Sequence, residues 1–291
     1  MLLETAARVK RERAEGVRSS RFAGMTIALL FEKRSTRTRC AFETAFGEEG
    51  GYPVFLSRND IHLGAKESVE DTARVLGRMF DAVQYRGHSQ GTAELLANHA
   101  GVPVYNGLTD MNHPTQALAD LLTMQERFGF LKGLRLSYVG DGRNNVASSL
   151  IIAAAKSGIR LAVASPDSLK PSEELMQKLA PVAASTGGAI VVSSDARSAV
   201  EGADVIYTDV WTSMGEEDRE SERTALLWPF QVNQDLMNRA TEGAIFLHCL
   251  PAIKGNEVSA EVIEGPSSAV WDQAENRKHT IKAVMIETLG T

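Results

Sequence analysis

Short apolar runs alternate with segments of helical periodicity along nearly the whole chain. The apolar runs have the length of buried strands, and the segments between them repeat apolar residues at helical spacing. Predicted strands cover residues 25–31, 52–56, 82–85, 102–105, 134–139, 160–164, 189–193, 203–208, 244–248 and 269–271. Predicted helices cover residues 2–14, 38–47, 66–80, 92–99, 114–128, 145–157, 172–186, 259–264 and 274–289, with a short helix after residue 193. The alternation indicates βαβ units and largely parallel sheets.

A short break between Gly129 and Gly133 precedes a new strand that has its own glycine turn. We therefore predict an α/β protein of two domains, each a mainly parallel sheet flanked by helices. The first domain covers residues 1–129 and the second covers residues 130–272. We expect the closing helix, residues 273–291, to return to the first domain, although periodicity alone leaves its position open.

Polar side chains cluster where the predicted strands end. They are Ser35, Thr36, Arg37, Thr38, Arg39, Arg86, His113, Asn145, Asp209, His248 and Cys249. Because ligands of open α/β sheets bind at the carboxyl ends of the strands, we expect these side chains to share one cleft.

The densest of these positions is the segment 35–39, between the first predicted strand and the next helix. A helix N-terminus has unpaired N–H groups and a partial positive charge, so it favours an anion. Ser35, Thr36 and Thr38 add hydroxyl donors. Arg37 and Arg39 add guanidinium groups whose forked geometry suits phosphate. The alternative is an ordinary helix cap with two solvated arginines.

His113 precedes Pro114 at the start of a predicted helix that also contains Gln116. One interpretation is a histidine cap beside an exposed glutamine. The other is a neutral imidazole that donates a hydrogen bond to a carbonyl oxygen, with Gln116 holding an amide group. Arg277 likewise belongs either to a charged helix start or to the anion site.

Asp209 ends a predicted strand and precedes Ser213, Met214 and Gly215. The charged, non-periodic residues 216–223 that follow are either an acidic surface loop or part of a mobile lid. In the lid interpretation, Asp209 pairs with a cationic substrate and Gly215 permits hinge motion.

Asn145 opens a predicted helix after the turn Gly140-Asp141-Gly142. It either caps this helix with Asn144 or orients a carboxylate or amine of a ligand. The turn lacks the third glycine of a dinucleotide fingerprint, because Asn145 occupies that position. The pattern therefore disfavours nicotinamide binding, and we expect no cofactor.

His248 and Cys249 end another predicted strand. A lone cysteine is usually a small buried hydrophobic residue, and a Cys/His nucleophile pair is the alternative. Neighbouring strand residues point to opposite faces, which makes His248 a poor base for Cys249. We find no Cys, His and carboxylate pattern with the spacing of metal ligands, so we predict no metal.

Composition places the chain among globular proteins, with 291 residues, 43% hydrophobic and 23% charged. The net charge of −6 does not support a nucleic-acid or anionic-membrane partner. The two cysteines are far apart in sequence, which favours a reducing compartment over a disulfide framework. No apolar run reaches membrane-spanning length, and residues 1–21 resemble neither a secretory signal nor a transit peptide. We therefore expect a cytoplasmic protein.

Four segments, in this order, resemble the aspartate/ornithine carbamoyltransferase family. They are residues 31–39 (Phe-Glu-Lys-Arg-Ser-Thr-Arg-Thr-Arg), 113–116 (His-Pro-Thr-Gln), 209–216 (Asp-Val-Trp-Thr-Ser-Met-Gly-Glu) and 248–252 (His-Cys-Leu-Pro-Ala). The likeness covers nearly the whole chain. Ser-Thr-Arg-Thr and His-Pro-x-Gln are shared across the family, whereas Ser-Met-Gly and His-Cys-Leu-Pro resemble the members that act on ornithine. The resemblance implies carbamoyl transfer from carbamoyl phosphate to L-ornithine, giving L-citrulline and phosphate.

The resemblance also implies a role for each site residue. Carbamoyl phosphate would be bound by Ser35, Thr36, Arg37, Thr38, His62, Arg86, His113, Gln116, Cys249, Leu250 and Arg277. L-Ornithine would be bound by Asn145, Asp209, Ser213 and Met214, and the catalytic residues would be Arg37, His113, Asp209 and Cys249. The family forms trimers with active sites at subunit interfaces, so we expect a homotrimer or a multiple of trimers. His62 stands where family members often carry Gln and would reach a neighbouring subunit's carbamoyl phosphate.

Two alternatives stay open from the sequence. One is a carbamoyltransferase for another amine, which the Ser-Met-Gly segment disfavours. The other is a catalytically silent, anion-binding paralogue, which the intact residues 35–39, His113, Asp209 and Cys249 disfavour.

Overall fold

Two parallel sheets organise the chain in the computed structural model, which describes residues 1–61, 67–212 and 220–290. The strands are β1 (Thr26–Phe31), β2 (Tyr52–Ser57), β3 (Ala82–Arg86), β4 (Val104–Leu108), β5 (Arg135–Val139), β6 (Arg160–Ala164), β7 (Ala189–Ser193), β8 (Val205–Thr208) and β9 (Ile245–His248). The first sheet has the order β2-β1-β3-β4, and the second has the order β7-β6-β5-β8-β9. Every strand pair in both sheets is parallel.

Helices precede, connect and follow these strands. They are α1 (Leu2–Ala14), α2 (Thr36–Gly47), α3 (Val69–Met79), α4 (Gln90–Ala100), α5 (Pro114–Phe128), α6 (Asn145–Ser157), α7 (Glu173–Thr186), α8 (Ala196–Val200), α9 (Glu220–Leu227), α10 (Gln234–Met237), α11 (Ala260–Ile263) and α12 (Val270–Leu289). Short 3-10 helices cover Asp167–Leu169 and Trp228–Phe230. In the described parts of the chain, no helix combines the length and the apolar character that crossing a membrane requires.

The chain divides into two compact units. The first unit contains residues 1–122 and 275–291, and the second contains residues 123–274. One division therefore falls within α5 and the other within α12. The predicted two-domain α/β architecture is confirmed, including the return of the C-terminal helix to the first unit.

The first unit buries both faces of its sheet because β1 is apolar from Ile27 to Phe31. Ile27, Leu29 and Phe31 pack with residues of α2 and the C-terminal part of α12. Ala28 and Leu30 point the other way and pack with residues of α3 and α4. This alternation is the period of two expected for a strand, and burial on both faces is typical of parallel sheets.

Strand order reverses once in each sheet, which creates two crevices at the carboxyl ends of the strands. In the first sheet, β2 and β3 flank β1 on opposite sides, so the turns after β1 and β3 lie at the reversal. In the second sheet, β6 and β8 flank β5 in the same way. The candidate site residues follow these strands.

Two expectations about the type of secondary structure are wrong. Residues 269–271 are not a strand, since Ser268 forms only an isolated bridge with Phe246 and α12 already begins at Val270. The N–H of Gln273 bonds to the carbonyl of Ala269, so helical bonding replaces further pairing with β9. The non-periodic interpretation of residues 216–223 also fails where the chain is described, because α9 begins at Glu220.

Candidate functional site

The turn after β1 is built by a helix cap. Ser35 is the N-cap of α2, and its hydroxyl accepts a hydrogen bond from the N–H of Thr38 at 3.2 Å. The helix therefore begins at Thr36, two residues before the predicted start. Ser35 and Arg37 are half-buried and Thr36 is exposed, so this helix N-terminus is open to a ligand.

Two buried arginines converge on Thr38 in the first unit. Arg86 and Arg277 donate hydrogen bonds to the Thr38 hydroxyl at 2.9 and 2.8 Å. The three residues are 7%, 2% and 0% exposed, respectively. Two guanidinium groups that share one neutral oxygen repel each other, and an anion placed beside them relieves that repulsion. The structure thus brings together three of the residues predicted to bind phosphate.

Gln116 orients Arg277 from α5. A guanidinium nitrogen of Arg277 donates to the Gln116 side-chain oxygen at 2.9 Å, and a longer contact of 3.4 Å reaches the Thr115 hydroxyl. The Gln116 amide in turn donates to the carboxylate of Asp120 at 2.8 Å, and this carboxylate is fully buried. The spacing of four residues on one helix was the available signal for Asp120, which the sequence prediction missed.

His113 is held in its neutral form. The side chain is buried, and burial together with the charges of Arg277, Arg86 and Arg37 keeps the pKa of its imidazole well below the usual range. A neutral imidazole donates through one ring nitrogen only, as the sequence interpretation required.

A second layer of contacts fixes the residues just before this turn, and the sequence prediction missed it. Lys33 forms an ion pair of 2.5 Å with Asp110, which follows β4. The Tyr85 hydroxyl donates to the Glu32 carboxylate at 2.6 Å. Gly87 leaves room for this contact, because a side chain there would place its Cβ 2.1 Å from the Glu32 oxygen.

Asp209 is the centre of the polar group in the second unit. One carboxylate oxygen accepts from the Cys249 thiol at 3.0 Å and from the N–H of Val210 at 2.8 Å. The other accepts from the Asn144 amide at 3.1 Å. Burial raises the pKa of the Asp209 carboxyl, and its hydrogen bonds and the nearby His248 act in the opposite direction.

Asn144 links this group to the start of α6. Its side-chain oxygen caps the helix by accepting from the N–H of Ala147 at 2.7 Å, and its amide also donates to the Tyr138 hydroxyl at 2.8 Å. The predicted residue, Asn145, is the half-buried first residue of α6. The sequence pointed to both asparagines but did not predict the contact between Asn144 and Asp209. These two residues follow different strands, β5 and β8.

His248 lies beside this group, and its ring bonds elsewhere. One ring nitrogen accepts from the N–H of Leu250 at 2.9 Å, and the other lies 3.2 Å from the Glu257 carboxylate. Ligand atoms of Asp209, His248 and Cys249 nevertheless lie within 4.8 Å of one another. Sequence spacing did not predict this grouping, because Asp209 follows β8 whereas His248 and Cys249 lie at the end of β9. A cation bound there would have to break one of the ring's two hydrogen bonds.

Arg223 in α9 is a further residue that the sequence prediction missed. The sequence left it in a segment interpreted either as an acidic surface loop or as part of a mobile lid, and its side chain is buried. The guanidinium donates to the carboxylate of Asp141 at 2.5 Å and to the carbonyl of Trp211 at 2.6 Å. Three further predicted site residues, His62, Ser213 and Met214, lie outside the described residues.

Comparison with known proteins gives the same family for both units. The carbamoyl-P binding domain of aspartate/ornithine carbamoyltransferase matches residues 1–126, and the Asp/Orn binding domain of that family matches residues 132–288. This chain belongs to the aspartate/ornithine carbamoyltransferase family.

Individual carbamoyltransferases are similar over nearly their full length. Ornithine carbamoyltransferase of Caldanaerobacter subterraneus is 62% identical over 99% of this chain and 92% of its own, and the Thermotoga maritima protein of the same name is 60% identical at the same coverage. The structure of ornithine carbamoyltransferase from Pyrococcus furiosus matches with a TM-score of 0.96 at 46% identity, over 99% of this chain and 92% of that one. Thr38, Arg86 and Gln116 lie in the carbamoyl-P match, whereas Asp209 and Cys249 lie in the Asp/Orn match together with Arg277.

Proposed function

We propose that this carbamoyltransferase moves the carbamoyl group of carbamoyl phosphate to the side-chain amine of L-ornithine, giving L-citrulline and phosphate. The observation that carries the proposal is the pair of buried arginines on Thr38 beside a neutral His113. This arrangement combines cations for a phosphate with a neutral donor for a carbonyl oxygen. The similar proteins named ornithine carbamoyltransferase support the choice of amine.

The phosphate of the donor substrate binds at the N-terminus of α2. Ser35, Thr36, Arg37 and Thr38 supply N–H, hydroxyl and guanidinium donors from this turn. Arg86 and Arg277 supply two further positive charges, which also stabilise the phosphate as it leaves.

The carbamoyl group is activated by His113 and Arg37. Attack of the amine turns the carbonyl oxygen into an oxyanion, and an imidazole N–H and a guanidinium aimed at that oxygen lower the barrier. One such donor is typically worth about 2.7–4 kcal/mol. Because the pKa of His113 is depressed, it acts as a hydrogen-bond donor and not as a proton source at neutral pH. Gln116 holds the carbamoyl amide.

L-Ornithine binds in the second unit through Asn145, Asp209, Ser213 and Met214. The Asp209 carboxylate attracts the cationic ammonium form and orients the amine once it has lost its proton. The Cys249 thiol, 3.0 Å from Asp209, and the adjacent Leu250 line the position where the carbamoyl group and the amine react.

Citrulline formation with a panel of amines tests this function. The protein is incubated with carbamoyl phosphate and L-ornithine, L-aspartate, putrescine or N-acetylornithine, and each carbamoylated product is measured. Of the four amines, we expect only L-ornithine to give a carbamoylated product. If another amine gives the product, the assignment of the phosphate site stands, and the assignment of Asp209, Ser213 and Met214 to ornithine is wrong. Carbamoyl phosphate binding with no product from any amine would favour a silent paralogue.

We further propose a cytoplasmic homotrimer, or a multiple of trimers, in which His62 enters the active site of a neighbouring subunit. The two free cysteines, Cys40 and Cys249, are compatible with a reducing compartment. Light scattering during gel filtration is expected to give three times the 31.5 kDa chain mass or a multiple of it. Mixing His62→Ala and Arg277→Met chains, each inactive alone, is expected to restore activity. No restoration after subunit exchange would exclude shared sites.

A further inference from the structure

His248 and Glu257 form a fully buried pair next to the Asp209–Cys249 contact. Both side chains are 0% exposed, and the His248 Nε2 atom lies 3.2 Å from a Glu257 carboxylate oxygen. Glu257 has no part in the proposed chemistry. Removing a carboxylate from water is unfavourable unless its contacts compensate, so its position requires an explanation.

The hydrogen bonds around His248 define its tautomer. Its Nδ1 atom accepts from the N–H of Leu250 at 2.9 Å, so in the neutral ring the hydrogen is on Nε2. That N–H then donates to Glu257. The same carboxylate oxygen accepts from the N–H of Ile253 at 2.7 Å, which ties the carboxylate to the loop after β9. With the opposite tautomer, two N–H groups would oppose each other at Leu250.

Leu250 needs this support because its backbone is unusual. Its φ angle is +59°, and it is the one non-glycine residue with positive φ among the described residues. Residues other than glycine, asparagine and aspartate rarely adopt that conformation. Leu250 directly follows Cys249, whose thiol donates to Asp209 at 3.0 Å. The direction of the chain at Leu250 therefore determines where the thiol lies.

We propose that Glu257 is a positioning residue for the amine site, acting through His248 to hold Leu250 and the Cys249 thiol in place. This inference rests on the proposed function, because it assigns Asp209 and Cys249 to the amine site. Glu257 itself touches no substrate. Its carboxylate selects the imidazole tautomer, the imidazole holds the Leu250 N–H, and the backbone sets the thiol against Asp209.

Substitutions at Glu257 separate positioning from stability. Glu257→Gln keeps an oxygen that accepts from both His248 and Ile253, whereas Glu257→Ala removes it. Val262→Ala is the control, because Val262 is 3% exposed in the hydrophobic core of this unit and its truncation lowers stability without removing these bonds. For each variant, kcat, the KM values of ornithine and carbamoyl phosphate, the Kd of inorganic phosphate and Tm are measured.

We expect Glu257→Ala to lower kcat/KM for ornithine by at least about tenfold, the effect of losing a hydrogen bond to a charged group. The phosphate Kd stays unchanged, since Arg86 and Arg277 belong to the other unit. Glu257→Gln should recover to within about threefold of wild type. Val262→Ala should lower Tm and leave kcat/KM unchanged. The proposal is overturned if Glu257→Ala lowers only Tm, or if Glu257→Gln is as impaired as Glu257→Ala.

Thiol alkylation gives a readout that does not depend on turnover. Iodoacetamide modification of Cys249 is followed by peptide mass spectrometry, with the exposed Cys40 as internal control. Glu257→Ala, or Glu257→Asp if the alanine variant does not fold, should change the Cys249 rate several-fold and leave the Cys40 rate unchanged. Equal Cys249 rates in wild type and folded variant would refute the positioning role. A wild type that forms no citrulline refutes the proposed function instead, and the alkylation rates still decide the role of Glu257.

Discussion

Replacing Arg277 by Met should abolish tight phosphate binding with little loss of stability. The guanidinium nitrogens of Arg277 and Arg86 both lie within 2.9 Å of the Thr38 hydroxyl oxygen, so they are no more than about 5.8 Å apart. At an effective dielectric constant of about 20, two unit charges at that separation repel by about 3 kcal/mol. Removing one charge relieves this repulsion and offsets the hydrogen bonds lost to Gln116 and Thr38.

Whereas stability should change little, the affinity for phosphate should fall steeply in Arg277→Met. Each hydrogen bond from a charged donor is worth about 1.5–3 kcal/mol, so losing a two-pronged Arg277 contact costs about 3–6 kcal/mol. That is a rise in the phosphate Kd by a factor of about 10²–10⁴. Isothermal titration with inorganic phosphate at constant ionic strength measures it directly. In thermal unfolding, phosphate at about 100 times its Kd should stabilise wild type by about 2.7 kcal/mol and should leave Arg277→Met unchanged.

Arg127→Met provides the control for net charge. Arg127 is on α5, is about half exposed and pairs with Asp272, and its substitution changes the net charge by the same amount. We expect it to bind phosphate like wild type. Wild-type phosphate affinity in Arg277→Met would refute the anion site, and a large fall in its Tm without phosphate would refute the calculated repulsion.

Three further predictions concern single residues. Arg37→Ala should lower kcat by at least about a hundredfold, because Arg37 acts on the oxyanion, and should shift Tm little, because Arg37 is only half-buried. Wild-type turnover in steady-state kinetics would contradict its role. Asn144→Ser keeps a side-chain oxygen that can cap α6 but removes the amide that donates to Asp209, so Tm should change little while kcat/KM for ornithine falls by about tenfold or more. An unchanged kcat/KM would show that this contact is structural only. Burial lowers the pKa of His279 to about 4. The unfolded chain therefore binds a proton that the folded chain does not, and up to about 3 kcal/mol of stability is lost as pH falls from about 6.5 to 4. Urea unfolding of His279→Gln should lack this part of the pH dependence, and identical curves for both proteins would exclude it.

Elements with strong local signals were predicted to the residue. The observed bounds of α6, β6 and β7 match those expected from periodicity. Gly158 and Gly187, which follow α6 and α7, adopt left-handed φ angles of 74° and 85° and so end these helices where the sequence indicated. Where residues have a low strand propensity, pairing with a neighbouring strand can still extend a strand through them. β4 was expected at residues 102–105 but covers Val104–Leu108, and it continues through Asn106 and Gly107 because β3 supplies partners along its edge.

In the candidate site too, local contacts could be predicted from the sequence and contacts between distant elements could not. The cap at Ser35 and the pairing of Gln116 with Asp120 are local, so the sequence contains the information for both. The contacts of Asn144 with Asp209 and of His248 with Glu257 join residues from different elements. No spacing rule predicts them, since their geometry depends on strand order and on the path of the loops.

Net charge and the anion site predicted from the sequence are compatible, and the structure gives the physical reason. The chain carries −6 overall, which does not support a nucleic-acid or anionic-membrane partner but leaves room for a local basic pocket. Surface charges are screened over about 8–10 Å at physiological salt, whereas buried charges are screened far less. Arg277 lies 239 positions from Thr38 in sequence, and α12 brings it back to the first unit. A few buried cations at one strand end therefore determine which ligand binds there, and the acidic remainder of the surface does not oppose it.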